Sequence, residues 1–137
     1  MAVDFRYLLD TNICIYIRKK KPERVSERFR KVGSGEVAIS VITYGELLYG
    51  ANKSAQRARS LATVQEFVRI VPPLPLPEEA AEAYGFIRAE LEGRGEMVEP
   101  NDLWIAAHAL ALGLTLVTND EREFRRVRGL KIQNWAA

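Results

Sequence analysis

The chain has 137 residues, 47% hydrophobic and 28% charged, which places it with single globular domains that bury roughly two thirds of their unfolded surface and excludes an intrinsically disordered polypeptide. No stretch approaches the ~20 apolar residues of a membrane span and MAVDFRYLLD lacks the layout of a secretion signal, so a cytoplasmic protein with no membrane contact is expected. One cysteine, Cys14 among isoleucines, excludes an intrachain disulfide and reads as a buried, inert thiol, while a net charge of +2 names no partner.

In chain order, FRYLL (5–9) reads as a strand and Asn12 to about Lys20 as a helix. Pro22 opens a second helix to Val32, and Gly33-Ser34-Gly35 makes a turn. EVAISVI (36–42) is a β-branched strand ending at Thr43, with a helix from Tyr44 toward Asn52. A helix over about 55–67 precedes RIVPPLPLP, where Ile70-Val71 form a short strand whose neighbouring prolines suit a sheet edge. Pro77 opens a long helix ending near Gly93, and Asn101 to Leu112 form another, stopped by Gly113. LTLV (114–117) is a strand, Thr118-Asn119-Asp120 turns into a short helix, and Leu130 to Gln133 form the last strand. Strands and helices alternate without a linker or repeat. The expected fold is therefore one α/β domain over 1–137, a central mostly parallel sheet of four to five strands with helices on both faces.

Sites in such sheets form outside the carboxyl ends of the strands. Asp10 follows the first strand and Asp120 follows LTLVTN, while Glu46 and Asp102 fall in the first turns of helices on the same map. Each acid alone has an ordinary explanation, because helix N-termini favour acids by ~0.3–1 kcal/mol, and Thr43 to Glu46 fits a capping box. Together they point further. All four positions are acidic although Ser40, Thr43, Asn101 and Thr118 stand nearby as capping candidates, and each lies against an apolar segment.

Converging, partly buried carboxylates repel one another, and a hard divalent cation compensates them best. Oxygen-only donors suit Mg²⁺ or Mn²⁺, whereas zinc is disfavoured by a chain with one cysteine and one histidine. His108 lies six residues beyond Asp102, off its helical face, and reads as a packing or surface residue. A cation among carboxylates hydrolyses phosphodiesters. Setting these four acids aside leaves 14 acidic against 20 basic side chains, and RKKKPERVSERFRK (18–31) and EREFRRVRGLK (121–131) concentrate the basic ones, which suits a polyanion as well as solvated helix faces. A phosphoaspartate hydrolase would want Asp-x-Asp where this chain has Asp10-Thr11-Asn12, and a phospho-receiver domain an acidic pair and a late lysine. The non-enzyme alternative is an α/β protein-binding module whose acids only cap helices.

The quoted motifs resemble those of the PIN-domain ribonucleases, and within them the VapC-like toxins of prokaryotic toxin–antitoxin pairs. LLDTNICI is similar to the first acidic motif, SVITYGELLYGANKS to the second, NDLWIAAHALALGLTLVTNDEREF to the third and fourth, and GLKIQNW to the usual ending. The resemblance implies an Mg²⁺- or Mn²⁺-dependent endoribonuclease leaving a 5′-phosphate and a 3′-hydroxyl. It implies that Asp10 and Asp102 hold metal most directly, that Asp120 and Glu46 act directly or through water, and that Thr11, Asn12 and Thr118 orient the carboxylates. It further implies a homodimer and a small VapB-like antitoxin whose tail covers the site. Glu99-Pro100 departs from the glycine common in relatives and bears on the shape of the loop entering the site.

Overall fold

The computed structural model describes residues 4–137. Five strands, β1 (Tyr7–Leu9), β2 (Val37–Ser40), β3 (Pro73–Leu74), β4 (Thr115–Val117) and β5 (Ile132–Gln133), form one sheet in the order β3-β2-β1-β4-β5. Every pairing is parallel, with Leu8 opposite Ala38 on one side and Leu116 on the other. Seven helices cover it: α1 (Thr11–Lys19), α2 (Glu23–Val32), α3 (Val41–Asn52), α4 (Arg57–Ile70), α5 (Glu78–Gly93), α6 (Pro100–Leu112) and α7 (Glu121–Phe124).

Strand periodicity explains the two layers. Side chains alternate across a strand, so Tyr7, Leu9, Val37, Ile39 and Val117 pack with Ile13 of α1, Leu47 of α3 and Val64 and Phe67 of α4. Trp135 closes that layer edge-on against Tyr7, with ring centroids 5.4 Å apart. Leu8, Ala38 and Leu116 face the other way, onto Ile87 and Leu91 of α5, Leu103 and Ala106 of α6, and Phe124 of α7. The central strands are buried on both faces, as continuous apolar runs in parallel sheets require.

The strands β1, β4 and β5 are shorter than the runs 5–9, 114–117 and 130–133, and two further boundaries differ in ways that bear on the site and the sheet edge. The second strand stops at Ser40 and α3 begins at Val41, because the buried Ser40 hydroxyl accepts a hydrogen bond from the Ile42 amide (3.1 Å) and caps the helix. Glu46 is therefore the sixth residue of α3 and not in its first turn, so the capping box from Thr43 does not form. The strand expected at Ile70-Val71 falls instead at Pro73–Leu74, since α4 runs on to Ile70 with Val64, Phe67 and Val71 all turned into the core. β3 is an edge strand, where a proline without an N–H is tolerated.

β1 has β2 on one side and β4 on the other, so the direction of winding reverses beside it. That reversal opens a crevice at the carboxyl ends of β1 and β4, the place where open α/β sheets bind ligands. Asp10 leaves β1 into this crevice, and Thr118 to Asp120 leave β4 beside it. The Asp10 amide, bonded to the Val117 carbonyl (3.0 Å), ties the two exits together.

Candidate active site

Asp10 is the N-cap of α1. Its Oδ1 accepts from the Ile13 amide (2.9 Å), and only 5% of the residue is exposed. Burial raises its carboxyl from 3.8 to about 6, with the charges of Asp120 and Glu46 adding to the effect, while bonds from the Thr118 hydroxyl and the Ile13 amide oppose it. The first acid thus senses two others that lie far away in sequence.

Asp102 sits in the first turn of α6, but it is not the cap. Glu99 is, accepting from the Asp102 amide (3.1 Å). The Asp102 carboxyl is half-buried and raised to about 8, first by burial, then by its hydrogen bond and charge contact with Glu123, then by the charges of Glu99 and Asp10. Asp120 caps the short α7, accepting from the Glu123 amide (3.4 Å), and its own amide is held by the Thr118 hydroxyl (2.9 Å). Oxygen atoms of Asp102, Asp120 and Glu123 all lie within 4.8 Å of one another.

Glu46 joins from α3. Its Oε1 accepts from the Thr11 hydroxyl and its Oε2 from the Asn101 side-chain amide (3.3 Å). Thr11 also contacts the Thr43 hydroxyl (3.4 Å), so α1, α3 and α6 are cross-linked around this carboxylate. Asn12 is exposed on α1 and makes no side-chain hydrogen bond to a carboxylate among the described residues. His108 is fully buried, with Nδ1 2.8 Å from the Ser40 hydroxyl. Ser40 can accept from the Ile42 amide and donate to Nδ1, leaving the imidazole proton on Nε2, which is buried without a hydrogen-bond partner among the described residues; burial lowers the histidine's pKa and favours its neutral form.

Sequence reasoning missed Glu123. Its signal was present, since Asp120 and Glu123 are three residues apart at a helix start and so share a face. Capping accounts for Asp10 and Asp120 but not for Glu46, six residues into its helix, nor for Asp102 and Glu123, which press two carboxyls together at an electrostatic cost. The donor set fits a hard divalent cation: it consists of carboxylate oxygens, and Glu123 Oε1 is buried without a hydrogen-bond partner.

A parallel doubly wound sheet with five acids at its winding reversal defines the class as an α/β protein with an acidic crevice site. The PIN domain family matches residues 7–130. The chain is 46% identical over 131 residues to the tRNA(fMet)-specific endonuclease VapC of Shigella flexneri, covering 96% of this chain and 98% of that protein. It is 42% identical over 130 residues to ribonuclease VapC2 of Haemophilus influenzae, covering 95% and 98%. Among solved structures, the DNA-bound VapBC of Salmonella typhimurium superposes with a TM-score of 0.90 at 44% identity, covering 96% of this chain and 98% of that one. The chain belongs to the PIN-domain family and, within it, to the VapC ribonucleases.

Proposed function

We propose that this chain, as a single PIN domain over 1–137, is a metal-dependent endoribonuclease that acts as the toxin of a toxin–antitoxin pair. The observation that carries the reading is the convergence of Asp102, Asp120 and Glu123 oxygens within 4.8 Å beside the buried Asp10. Asp10, Asp102, Asp120 and Glu46 form the catalytic pocket with Glu123, and these carboxylates hold Mg²⁺ or Mn²⁺. When bound, such a cation neutralises charge on the scissile phosphate and lowers the pKa of a water at the site. The protein's own part is to fix the carboxylates before substrate arrives. The Ile13 amide and Thr118 hydroxyl keep Asp10 oriented. Thr11 and Asn101 hold the two oxygens of Glu46. Preorganised acids lose little freedom when the cation and phosphate enter.

The names of the Shigella and Haemophilus relatives, a tRNA(fMet)-specific endonuclease and a ribonuclease, support RNA as substrate. The Salmonella protein was seen in a VapBC complex, which supports a small VapB-like antitoxin as partner. The reading also places a homodimer in the cytoplasm, where such an RNA substrate is met. The test is RNA cleavage by wild type and Asp102→Asn in Mg²⁺, in Mn²⁺ and in chelator. Cleavage is expected only for wild type with metal; equal cleavage by the variant overturns the assignment.

A further inference from the structure

A groove of about 580 Å³ lies between α1, α3 and α4, and it opens onto the carboxylates because Thr11 and Glu46 belong to its wall. Its lining combines the apolar side chains of Ile15, Leu47 and Ala51 with the hydroxyls of Ser54, Ser60 and Thr63 and with two cations, Arg18 and Lys19. Both are exposed, and neither has an acid within ion-pairing distance among the described residues.

In the other basic segment three of the five cations, Arg125, Arg126 and Arg128, are engaged by the protein itself. Arg125 pairs with Glu121 (2.9 Å), Arg128 approaches Glu90 (3.9 Å), and Arg126 donates to the Met97 carbonyl. Of two other grooves of comparable size, one is lined by balanced charges and one by an excess of acids. The one beside α2 balances Lys20 and Arg30 with Glu23 and Glu27, and the one on α5 sets Arg128 against Glu79, Glu82 and Glu90. Of these three grooves, the one at α1 combines cations without an ion pair, apolar lining and contact with the site among the described residues. Arg18 and Lys19 do sit in the last turn of α1, where the helix dipole favours cations. That explains a preference for charge there, but not why neither cation has an ion-pairing acid among the described residues.

We infer that this groove guides single-stranded RNA to the acidic site, with Arg18 and Lys19 gripping backbone phosphates and the apolar side chains receiving unstacked bases. The inference rests on the ribonuclease reading and adds a strand path to it. A duplex cannot present its bases to a groove of this kind, whereas a single strand can splay its bases into it.

Binding is measured by fluorescence anisotropy with a labelled oligouridylate of ~12 nucleotides, in the range of sites for single strands, using the full chain in chelator so that no cleavage occurs. Each lost phosphate contact on a single strand lowers the slope of log affinity against log salt by ~0.7, so Arg18→Gln with Lys19→Gln lowers it by about 1.4. Between ~50 and ~200 mM salt the double variant therefore loses about sevenfold less affinity than wild type. The charge-preserving exchange Arg18→Lys with Lys19→Arg retains the wild-type slope, and Arg125→Gln with Arg128→Gln leaves it unchanged. An unchanged slope in the first variant, with wild type still cutting RNA, overturns the strand path and leaves the ribonuclease reading standing. The path is equally overturned if that variant loses binding to an antitoxin peptide while its RNA slope stays at the wild-type value. Cleavage assayed separately with metal tests the ribonuclease reading itself.

Discussion

Asp10→Asn separates charge from capping at the most buried acid. Asparagine caps helices as well as aspartate does, so the bond from the Ile13 amide survives. What disappears is a carboxyl that folding raises from 3.8 to about 6, which is worth about 3 kcal/mol against the ionised, metal-free protein. Because the folded value lies above the unfolded one, the native state binds more protons in this window. The associated stability is complete below the unfolded value and is lost as pH rises through about 6. Between pH 5 and 8 the loss amounts to about 1.4 kcal/mol, or about 5 °C in melting temperature for a chain of this length. Thermal melting in chelator at both pH values measures it. The melting temperature of Asp10→Asn minus that of wild type should grow by about 5 °C from pH 5 to pH 8, while the variant loses RNA cleavage in Mg²⁺. A difference that stays flat across this range refutes the claim that burial and neighbouring acids strain Asp10.

Asp102, raised to about 8, carries a proton at neutral pH that a cation must displace. Mn²⁺ affinity should therefore rise between pH 6 and 8, and calorimetry in buffers of different ionisation enthalpy should detect the released proton. Glu123→Gln removes one of the three clustered carboxylates; Mn²⁺ binding and cleavage should both weaken by tenfold or more, with Asp102 titrating nearer its ordinary range by NMR. Ser40→Ala uncaps α3 and leaves His108 Nδ1 without its partner, so chemical denaturation should reveal a loss of about 2–3 kcal/mol.

Periodicity made the sheet legible from the sequence. YLL and VAIS are buried on both faces in the structure and LTLV at all but Thr115, and such runs separated by helices leave little choice but a parallel sheet. The end of β2 was not legible, because Val41, Ile42 and Thr43 are β-branched and continue a strand pattern, whereas the buried Ser40 hydroxyl and the packing of α3 decide in favour of helix. Ile70 misled for a related reason: it ends a helix whose apolar positions keep helical spacing up to the prolines. Of the acids, Asp10, Asp102 and Asp120 stood out by their places after strands and at a helix start. Glu123 was obscured within a run dominated by arginines, and its contact with Asp102 is tertiary.

The hydrogen bonds divide the acids by task. Asp10 and Glu46 have partners on the protein: an amide and a hydroxyl for one, a hydroxyl and a side-chain amide for the other. Asp102 and Glu123 have mainly each other, and Glu123 Oε1 has no donor at all. A pair of carboxyls without donors is stable only with a shared proton or a cation between them. The donor-rich acids can hold their geometry in the metal-free protein, whereas the donor-poor pair is where a cation lowers the free energy most. Placing the donor-poor pair on α6 and α7 puts the incoming charge at the mouth of the crevice, while Glu46 stands at the end of the groove from which a strand can arrive.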